Sequence, residues 1–210
     1  MKKKYWAFLI GSWCLSVGMQ AAKVDTLSVH SDAMNKEVQV ITICPDKAMA
    51  GEKCPVLYLL HGYGGNAGTW LGIKPELPQI ADKEGIIFVC PDGKNSWYWD
   101  SPLNKEYRYE TFVSKELVNY IDKNFTTKVE RGGRAITGLS MGGHGSLWLS
   151  IRHKDVFGGG GSMSGGLDIR PFPNNWEMKK QLGEEASNKQ RWDEHTVCLL
   201  YTSPSPRDCS

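Results

Sequence analysis

The chain is organised around one stretch near its centre, Ala135-Ile136-Thr137-Gly138-Leu139-Ser140-Met141-Gly142-Gly143. A short apolar run enters a Gly-x-Ser-x-Gly pattern, and a helical pattern follows to about His153, which together predict a strand, a sharp turn and a helix. We expect glycine at 138 and 142 because a side chain at either position would crowd the turn. This context favours a strained Ser140 with an exposed hydroxyl over a chance pattern in a glycine-rich chain.

Further strands and helices alternate on both sides of this stretch. Alternating apolar and polar residues predict two antiparallel edge strands, and continuous apolar runs predict strands buried on both faces, as in a mostly parallel sheet. The edge strands are predicted over 26–30 and 37–44, the buried strands over 56–60, 86–90, 134–137 and 156–163, and the helices over 76–83, 110–125, 141–153 and 176–182. The predicted fold class is therefore α/β, with a mostly parallel central sheet flanked by helices.

The first 22 residues predict an export signal, which is removed after use. Lysines at positions 2–4 precede an apolar segment over 5–19, and Ala21 and Ala22 offer a cleavage site. The apolar segment is too short, and too interrupted by glycine, for a membrane span. Cleavage leaves 22 of the 25 basic residues against 23 acidic ones, and so a net charge of about −1. We expect a periplasmic or secreted protein that has no nucleic-acid partner and, after cleavage, no membrane partner.

The rest of the chain divides into one domain over 23–197 and a tail over 198–210. A hydrophobic content of 40% with 23% charged residues is ordinary for one globular domain. The tail is dense in serine and proline and looks like a translated sequencing adaptor, so we predict that it is not native. On this interpretation the natural chain continues beyond Val197, and the last strands of the sheet are missing here.

Export makes disulfides feasible in this chain. Cys44 and Cys54 bracket a loop between two predicted strands and could be bridged, whereas Cys90 lies in an apolar strand and is expected to be a buried thiol. No cysteine or histidine pair has zinc spacing, so we expect no metal site. The glycine run 158–161 fits no nucleotide-binding pattern and is interpreted as close packing of a helix on the sheet.

A polar segment over 168–193 follows the sixth predicted strand and contains two prolines and three aromatic residues. This composition leaves two alternatives, a lid over a pocket or a solvated excursion. The eight tryptophans of the chain suit a surface that handles sugars or aromatic groups, and they suit core packing equally well.

A serine hydroxyl becomes an effective nucleophile when a base removes its proton and donors stabilise the oxyanion. Ser140 is the candidate nucleophile. The backbone N–H of Met141 is one candidate donor, and the loop after the first buried strand supplies the second, for which we choose the N–H of Tyr63. His61 in that loop precedes the serine, against the order of such triads, so we interpret it as a residue that bonds locally at a strand end.

Four motifs resemble those of a known family, and they are Leu59-Leu60-His61-Gly62-Tyr63-Gly64-Gly65-Asn66, Pro91-Asp92-Gly93-Lys94-Asn95-Ser96-Trp97-Tyr98, Tyr109-Glu110-Thr111-Phe112 and Gly138-Leu139-Ser140-Met141-Gly142-Gly143. Over about 24–197 the chain is similar to the putative esterase family of α/β-hydrolases. That family includes esterase D (S-formylglutathione hydrolase), feruloyl and acetyl-xylan esterases, and mycolyltransferase antigens. The resemblance implies an α/β-hydrolase fold, an acyl-serine mechanism and no cofactor. It also implies that Asn95, Ser96, Trp97 and Tyr98 line the acyl or sugar pocket, the alternative being a simple turn after a strand.

The chain departs from the family in its acid and base. The family order places an acid and then a histidine after the serine, on loops that would lie beyond Val197. After Ser140 the chain offers His144 and His153, both interpreted as structural, and Asp193 with His195, which lie two residues apart and are disfavoured as a working pair. We therefore expect the acid and base to be absent from this chain, and the chain itself to be inactive.

Three functions fit these features. The first is a serine carboxylic-ester hydrolase, and export favours feruloyl or acetyl esters of polysaccharides over a cytosolic thioester, with a small-molecule ester as a further substrate. The second is an acyltransferase that passes the same acyl group to a sugar. The third is a non-catalytic carbohydrate-binding relative that keeps the fold.

Overall fold

The computed structural model describes residues 22–202. The predicted export signal, apart from its last residue, and positions 203–210 of the predicted tail lie outside the described residues. The described strands are β1 Lys23–Ser31, β2 Lys36–Cys44, β3 Val56–Leu60, β4 Ile87–Pro91, β5 Arg134–Leu139 and β6 Gly159–Met163. The described helices are α1 Asp46–Met49, α2 Thr69–Ile73, α3 Leu77–Glu84, α4 Tyr109–Thr111, α5 Val118–Asn124, α6 Met141–Arg152, α7 Met178–Leu182, α8 Lys189–Glu194 and α9 Val197–Thr202. Short 3₁₀ turns span Arg131–Gly133 and Glu185–Ser187.

The six strands form one sheet in the order β1-β2-β4-β3-β5-β6. β1 and β2 pair antiparallel at one edge, β2 pairs antiparallel with β4, and the other pairs are parallel. Two hydrophobic clusters pack against the sheet, and β3 contributes to both of them. β3 is apolar at every position because its alternate side chains enter different clusters, so both of its faces are buried. The predicted α/β fold with a mostly parallel sheet is confirmed.

Two predicted elements differ from the structure. The strand predicted over 156–163 begins only at Gly159, because Phe157 packs its ring against Tyr58 at a centroid distance of 5.8 Å and belongs to the core before the strand begins. The helix predicted over 110–125 is interrupted by a π-helical turn at Phe112–Leu117, which joins α4 to α5. Its apolar spacing still predicts the buried face, since Val113, Leu117 and Ile121 are all buried.

The glycine run of β6 lets α6 approach the sheet closely. A Cβ atom added at Gly160 would lie 2.2 Å from the Oγ atom of Ser150 on α6, well inside contact distance. A Cβ atom added at Gly158 would lie 2.5 Å from the carbonyl oxygen of Arg131. The interpretation of this run as a packing feature is confirmed.

The polar segment over 168–193 is attached to the body of the domain. Its residues Ile169, Met178, Leu182 and Trp192 are buried in the main core cluster, so a solvated excursion is the wrong alternative. The chain then continues into α9, a helix that the sequence does not predict, and Leu200 packs against the same cluster. Whether 198–210 is native stays a prediction.

The cysteines of the domain are thiols. Cys44 and Cys54 are unbridged, because the first points to the carbonyl of Pro45 and the second to that of Glu52, so the feasible bridge is not formed. Cys90 is buried as predicted, and burial raises the pKa of its thiol to about 12. Within residues 22–202, no helix combines the length and the apolar character that crossing a membrane requires.

Candidate active site

Ser140 lies between β5 and α6 in a conformation that side chains rarely adopt, with φ 54° and ψ −115°. Its side chain is exposed, and its own backbone N–H donates to the carbonyl of Met163 at 2.8 Å, which ties the turn to the end of β6. A non-glycine residue in such a region costs about 1–3 kcal/mol and persists only when the surroundings fix it. The strained and exposed serine expected from the sequence is therefore present.

Close backbone contacts explain the two glycines of the turn. A Cβ atom added at Gly138 would lie 2.3 Å from the carbonyl oxygen of Gly142. A Cβ atom added at Gly142 would lie 2.3 Å from the carbonyl oxygen of Leu60 at the end of β3. Because both obstacles are backbone atoms, they cannot rotate away, and this confirms that side chains at these positions would crowd the turn.

The loop after β3 lies against Ser140. A Cβ atom added at Gly62 would lie 3.6 Å from the Cβ atom of Ser140. The first hydrogen bond of α6 runs from the N–H of His144 to the carbonyl of Ser140 at 3.0 Å. The N–H of Met141 precedes that bond, so it stands among the unpaired donors at the positive end of the helix. Both candidate donor segments thus flank the serine.

His61 is buried and bonded locally, with 1% of its surface exposed. Its Nε2 atom lies 2.9 Å from the N–H of Gly93, which can only donate, so Nε2 is the acceptor and the proton resides on Nδ1. Nδ1 then donates to the carbonyl of Gly62 at 2.7 Å. With both ring nitrogens engaged, His61 has the local role predicted for it.

The same contacts orient the Tyr63 peptide. The carbonyl of Gly62 accepts from His61 and also from the N–H of Gly65, at 3.0 Å. The carbonyl and N–H of a trans peptide point in opposite directions, and none of the described peptides is cis. The N–H of Tyr63 therefore points away from His61.

The structure changes the interpretation of the predicted pocket residues. Ser96, Trp97 and Tyr98 are 1%, 4% and 0% exposed, because Trp97 stacks on Trp99 at 5.5 Å and the Tyr98 hydroxyl donates to the carbonyl of His61 at 3.2 Å. These three residues pack inside the protein and offer almost no surface to a ligand. Asn95 is half-buried, so it is the one member of the predicted set with accessible surface.

The histidines that follow Ser140 have partners of their own. His144 is fully buried, accepts from Trp99 Nε1 at 2.9 Å and bonds to the carbonyl of Gly166, and burial lowers its pKa to about 4. His153 bonds to Glu110 at 2.8 Å. Both are structural, as expected.

Asp193 and His195 bond to different residues. Asp193 accepts from Arg170 at 3.2 Å, and the Nδ1 atom of His195 bonds to the carbonyl of Arg191 at 2.7 Å. The His195 ring stacks on Trp148, roughly 12 Å along the axis of α6 from Ser140. Within residues 22–202, no histidine has Ser140 as a hydrogen-bond partner.

Two aromatic residues of the polar segment are exposed, and the sequence did not single them out. Phe172 and Trp176 are 44% and 42% exposed and lie 5.4 Å apart between ring centroids. Trp176 also contacts the buried Trp97 at 6.1 Å. Such a surface suits aromatic or sugar rings. Among the described residues, no group of three or more His, Cys, Asp or Glu side chains is arranged to hold a metal ion.

Comparison with known proteins shows which family the chain is similar to. The sequence model of the Esterase family, described as "Putative esterase", matches residues 31–208. The chain is 29% identical to an acetyl esterase of Caldicellulosiruptor saccharolyticus, over 68% of this chain and 56% of that protein. It is 34% identical to the diacylglycerol acyltransferase/mycolyltransferase Ag85A of Mycobacterium leprae, over 69% of this chain and 44% of that protein. A solved ferulic acid esterase superposes with a TM-score of 0.71 at 27% identity, over 90% of this chain and 74% of that structure.

The chain thus spans about half the length of these two curated relatives. Its mostly parallel sheet flanked by helices is that of the α/β-hydrolase fold, and similar solved structures share this fold. Given the match over 31–208 and the motifs quoted above, this chain is a member of the putative esterase family.

Proposed function

We propose that this protein is a serine carboxylic-ester hydrolase in which Ser140 forms an acyl-enzyme. The exposed hydroxyl on a backbone held at φ 54° carries the proposal. The Oγ atom forms a bond to the ester carbonyl carbon while a base takes its proton. Collapse of the tetrahedral intermediate then breaks the bond to the alcohol, which leaves with that proton. Water repeats both steps and releases the acid.

The N–H groups of Tyr63 and Met141 are proposed to bind the oxyanion. The approach of Gly62 to Ser140 supports the choice of the first donor, and the unpaired N–H groups at the positive end of α6 support the choice of the second. A donor of this kind contributes about 2.7–4 kcal/mol to transition-state stabilisation.

The acid and base are proposed to come from residues outside this chain. The partners of His61, His144, His153 and His195 support this, since each is engaged in local structure. The isolated chain should then be inactive, because loss of the base lowers the turnover of a serine hydrolase such as subtilisin by about 10⁶.

The proposed substrates are feruloyl or acetyl esters of polysaccharides, met outside the cytoplasm. The names of the acetyl esterase relative and of the ferulic acid esterase structure support this class, as do the exposed Phe172 and Trp176. The basic and apolar segments of the first 22 residues support export.

Labelling with a serine-directed fluorophosphonate tests the mechanism in the full-length protein. We expect one label on Ser140, no label on the Ser140→Ala variant, and unchanged labelling of Ser187→Ala, in which an exposed serine of the polar segment is replaced. Absence of label on Ser140 would end the proposal.

Transfer of the acyl group to a sugar is the second candidate, favoured by the name of the Ag85A relative. Product analysis with an aryl acetate, with and without an added sugar acceptor, separates the two. Acylated sugar indicates a transferase, and free acid alone indicates a hydrolase. Binding of xylan with no turnover indicates the non-catalytic relative instead.

A further inference from the structure

Two neighbouring residues of the polar segment, Trp176 and Glu177, have left-handed backbones with φ 50° and 56°. Side chains disfavour this region, so such residues persist where surrounding contacts hold them. The carbonyl of Trp176 accepts from the Nε1 atom of Trp97 at 3.3 Å. The strained pair is therefore held against the loop that follows β4.

The carboxylate of Glu177 joins the polar segment to the loop that follows β4. Its Oε2 atom accepts from Asn95 Nδ2 at 3.3 Å, and it pairs with Lys180 on α7. Hydrogen bonds from Lys180 and Asn95 lower the pKa of Glu177, so the group is a carboxylate at neutral pH.

Asn95 transmits this contact to the backbone of the loop after β3. Its Oδ1 atom accepts from the N–H of Gly64 at 2.9 Å. Because an amide has its donor and its acceptor on opposite sides, a carboxylate that holds Nδ2 also turns Oδ1 toward Gly64. Gly64 has φ 74°, so this peptide lies at a sharp bend.

Tyr63 thus lies between two fixed peptides. His61 holds the carbonyl of Gly62 on one side, and Asn95 holds the N–H of Gly64 on the other. Rotation of the Tyr63 N–H requires at least one of these bonds to break. The second bond depends on a residue of the polar segment, which lies 82 positions from Asn95 in the chain.

We propose that Glu177 and Asn95 are positioning residues that fix the direction of the Tyr63 N–H, and that the polar segment is thereby coupled to the oxyanion loop. The inference rests on the proposed function, in which that N–H is an oxyanion donor. Neither side chain takes part in bond making. Their effect reaches the reaction through the backbone of Tyr63 and Gly64.

Amide hydrogen exchange at Gly64 tests the coupling in the 210-residue chain. Exchange should become about tenfold faster in Asn95→Ala and in Glu177→Ala, because the N–H loses its held acceptor. Glu177→Gln keeps an acceptor oxygen and should restore a rate near the parent value. Glu184→Ala is the matched control, since Glu184 pairs with Lys179 at 3.3 Å on the same segment and should leave Gly64 unchanged. A parent-like rate in Glu177→Ala overturns the proposal.

Kinetics of the full-length protein give the second readout. With a small aryl acetate, Glu177→Ala should lower kcat about tenfold and leave KM unchanged, because an oxyanion donor acts mainly in the transition state. The variant that carries both Asn95→Ala and Glu177→Ala should be no slower than Asn95→Ala alone, since both replacements act through the bond from the Gly64 N–H to Asn95. A raised KM at unchanged kcat identifies direct substrate contact and overturns positioning. If the parent shows no turnover, the proposed function fails, while the exchange result still decides the positioning.

Discussion

The Nε2 atom of His61 accepts the backbone N–H of Gly93 at 2.9 Å, inside a buried site. This one bond settles the tautomer of the ring, because a backbone N–H can only donate. It also joins the loop after β3 to the loop after β4. The imidazole therefore connects the loop that lies against Ser140 to the loop that follows β4.

Replacement of His61 by alanine should destabilise the fold by about 1–3 kcal/mol, because it leaves the N–H of Gly93 without its buried acceptor and removes one of the two donors to the carbonyl of Gly62. Urea unfolding followed by fluorescence gives the free energy. His30→Ala, at an exposed histidine paired with Glu37, should change it by less than about 0.5 kcal/mol. Equal effects of the two replacements would contradict the connector role.

Replacement of Ser140 by glycine should stabilise the protein relative to Ser140→Ala by about 1 kcal/mol. Glycine relieves the strain at φ 54°, ψ −115°, and its greater freedom in the unfolded chain offsets part of that gain. Both variants lack the hydroxyl, so their difference reports the backbone alone. Thermal and urea unfolding measure it, and an alanine variant as stable as the glycine variant would show that the turn is not strained.

Replacement of Gly142 by alanine should cost about 1–3 kcal/mol, because the new Cβ would lie 2.3 Å from the carbonyl oxygen of Leu60. Gly72→Ala is the matched control. Nothing lies within 4 Å of a Cβ atom there, and alanine in α2 should be neutral or stabilising by up to about 1 kcal/mol. Unfolding free energies of the two variants should thus shift in opposite directions or differ by more than about 1 kcal/mol.

His144 should make stability fall as the pH is lowered. Burial lowers its pKa to about 4 from an ordinary value of 6.5, so between these values the unfolded state binds a proton that the folded state does not. Unfolding free energy therefore rises with pH across this window, by roughly 3 kcal/mol in total. His144→Gln should lower the slope of unfolding free energy against pH by the amount that corresponds to one bound proton. The two unfolding curves should run parallel at pH 7–8, and an unchanged slope between pH 4 and 6.5 would falsify the assignment.

Local sequence was enough to predict the turn at Ser140. Gly138 and Gly142 are separated from the serine by one residue each, and the sterics that require them act over that distance. Apolar periodicity likewise predicted the strands of the sheet, because the side chains that it counts are the ones that the core buries. The predicted start of β6 was wrong because an apolar residue can belong either to a strand or to the core beside it. Phe157 was apolar because it packs in the core, and it was wrongly included in a strand.

The motif at residues 95–98 did not predict which of its side chains are exposed. Asn95, Ser96, Trp97 and Tyr98 are adjacent in sequence, yet Asn95 meets Gly64 while Tyr98 reaches the carbonyl of His61. Which of them faces a ligand depends on φ at Trp97 and Tyr98, 57° and 61°, and no pattern of residue types encodes those angles. Burial of the three residues after Asn95 therefore emerged only from the folded chain.

By itself, the sequence determined an α/β domain with a strand, a tight turn and a helix around Ser140, because short-range sterics and periodic burial act between residues close in the chain. Tertiary structure alone decided which ring nitrogen of His61 carries the proton. It also decided that Glu177 bonds to Asn95, which lies 82 residues away in the chain. Those hydrogen bonds join segments that have no sequence relation to each other. They form only when packing of the sheet and of the polar segment brings donor and acceptor within about 3 Å.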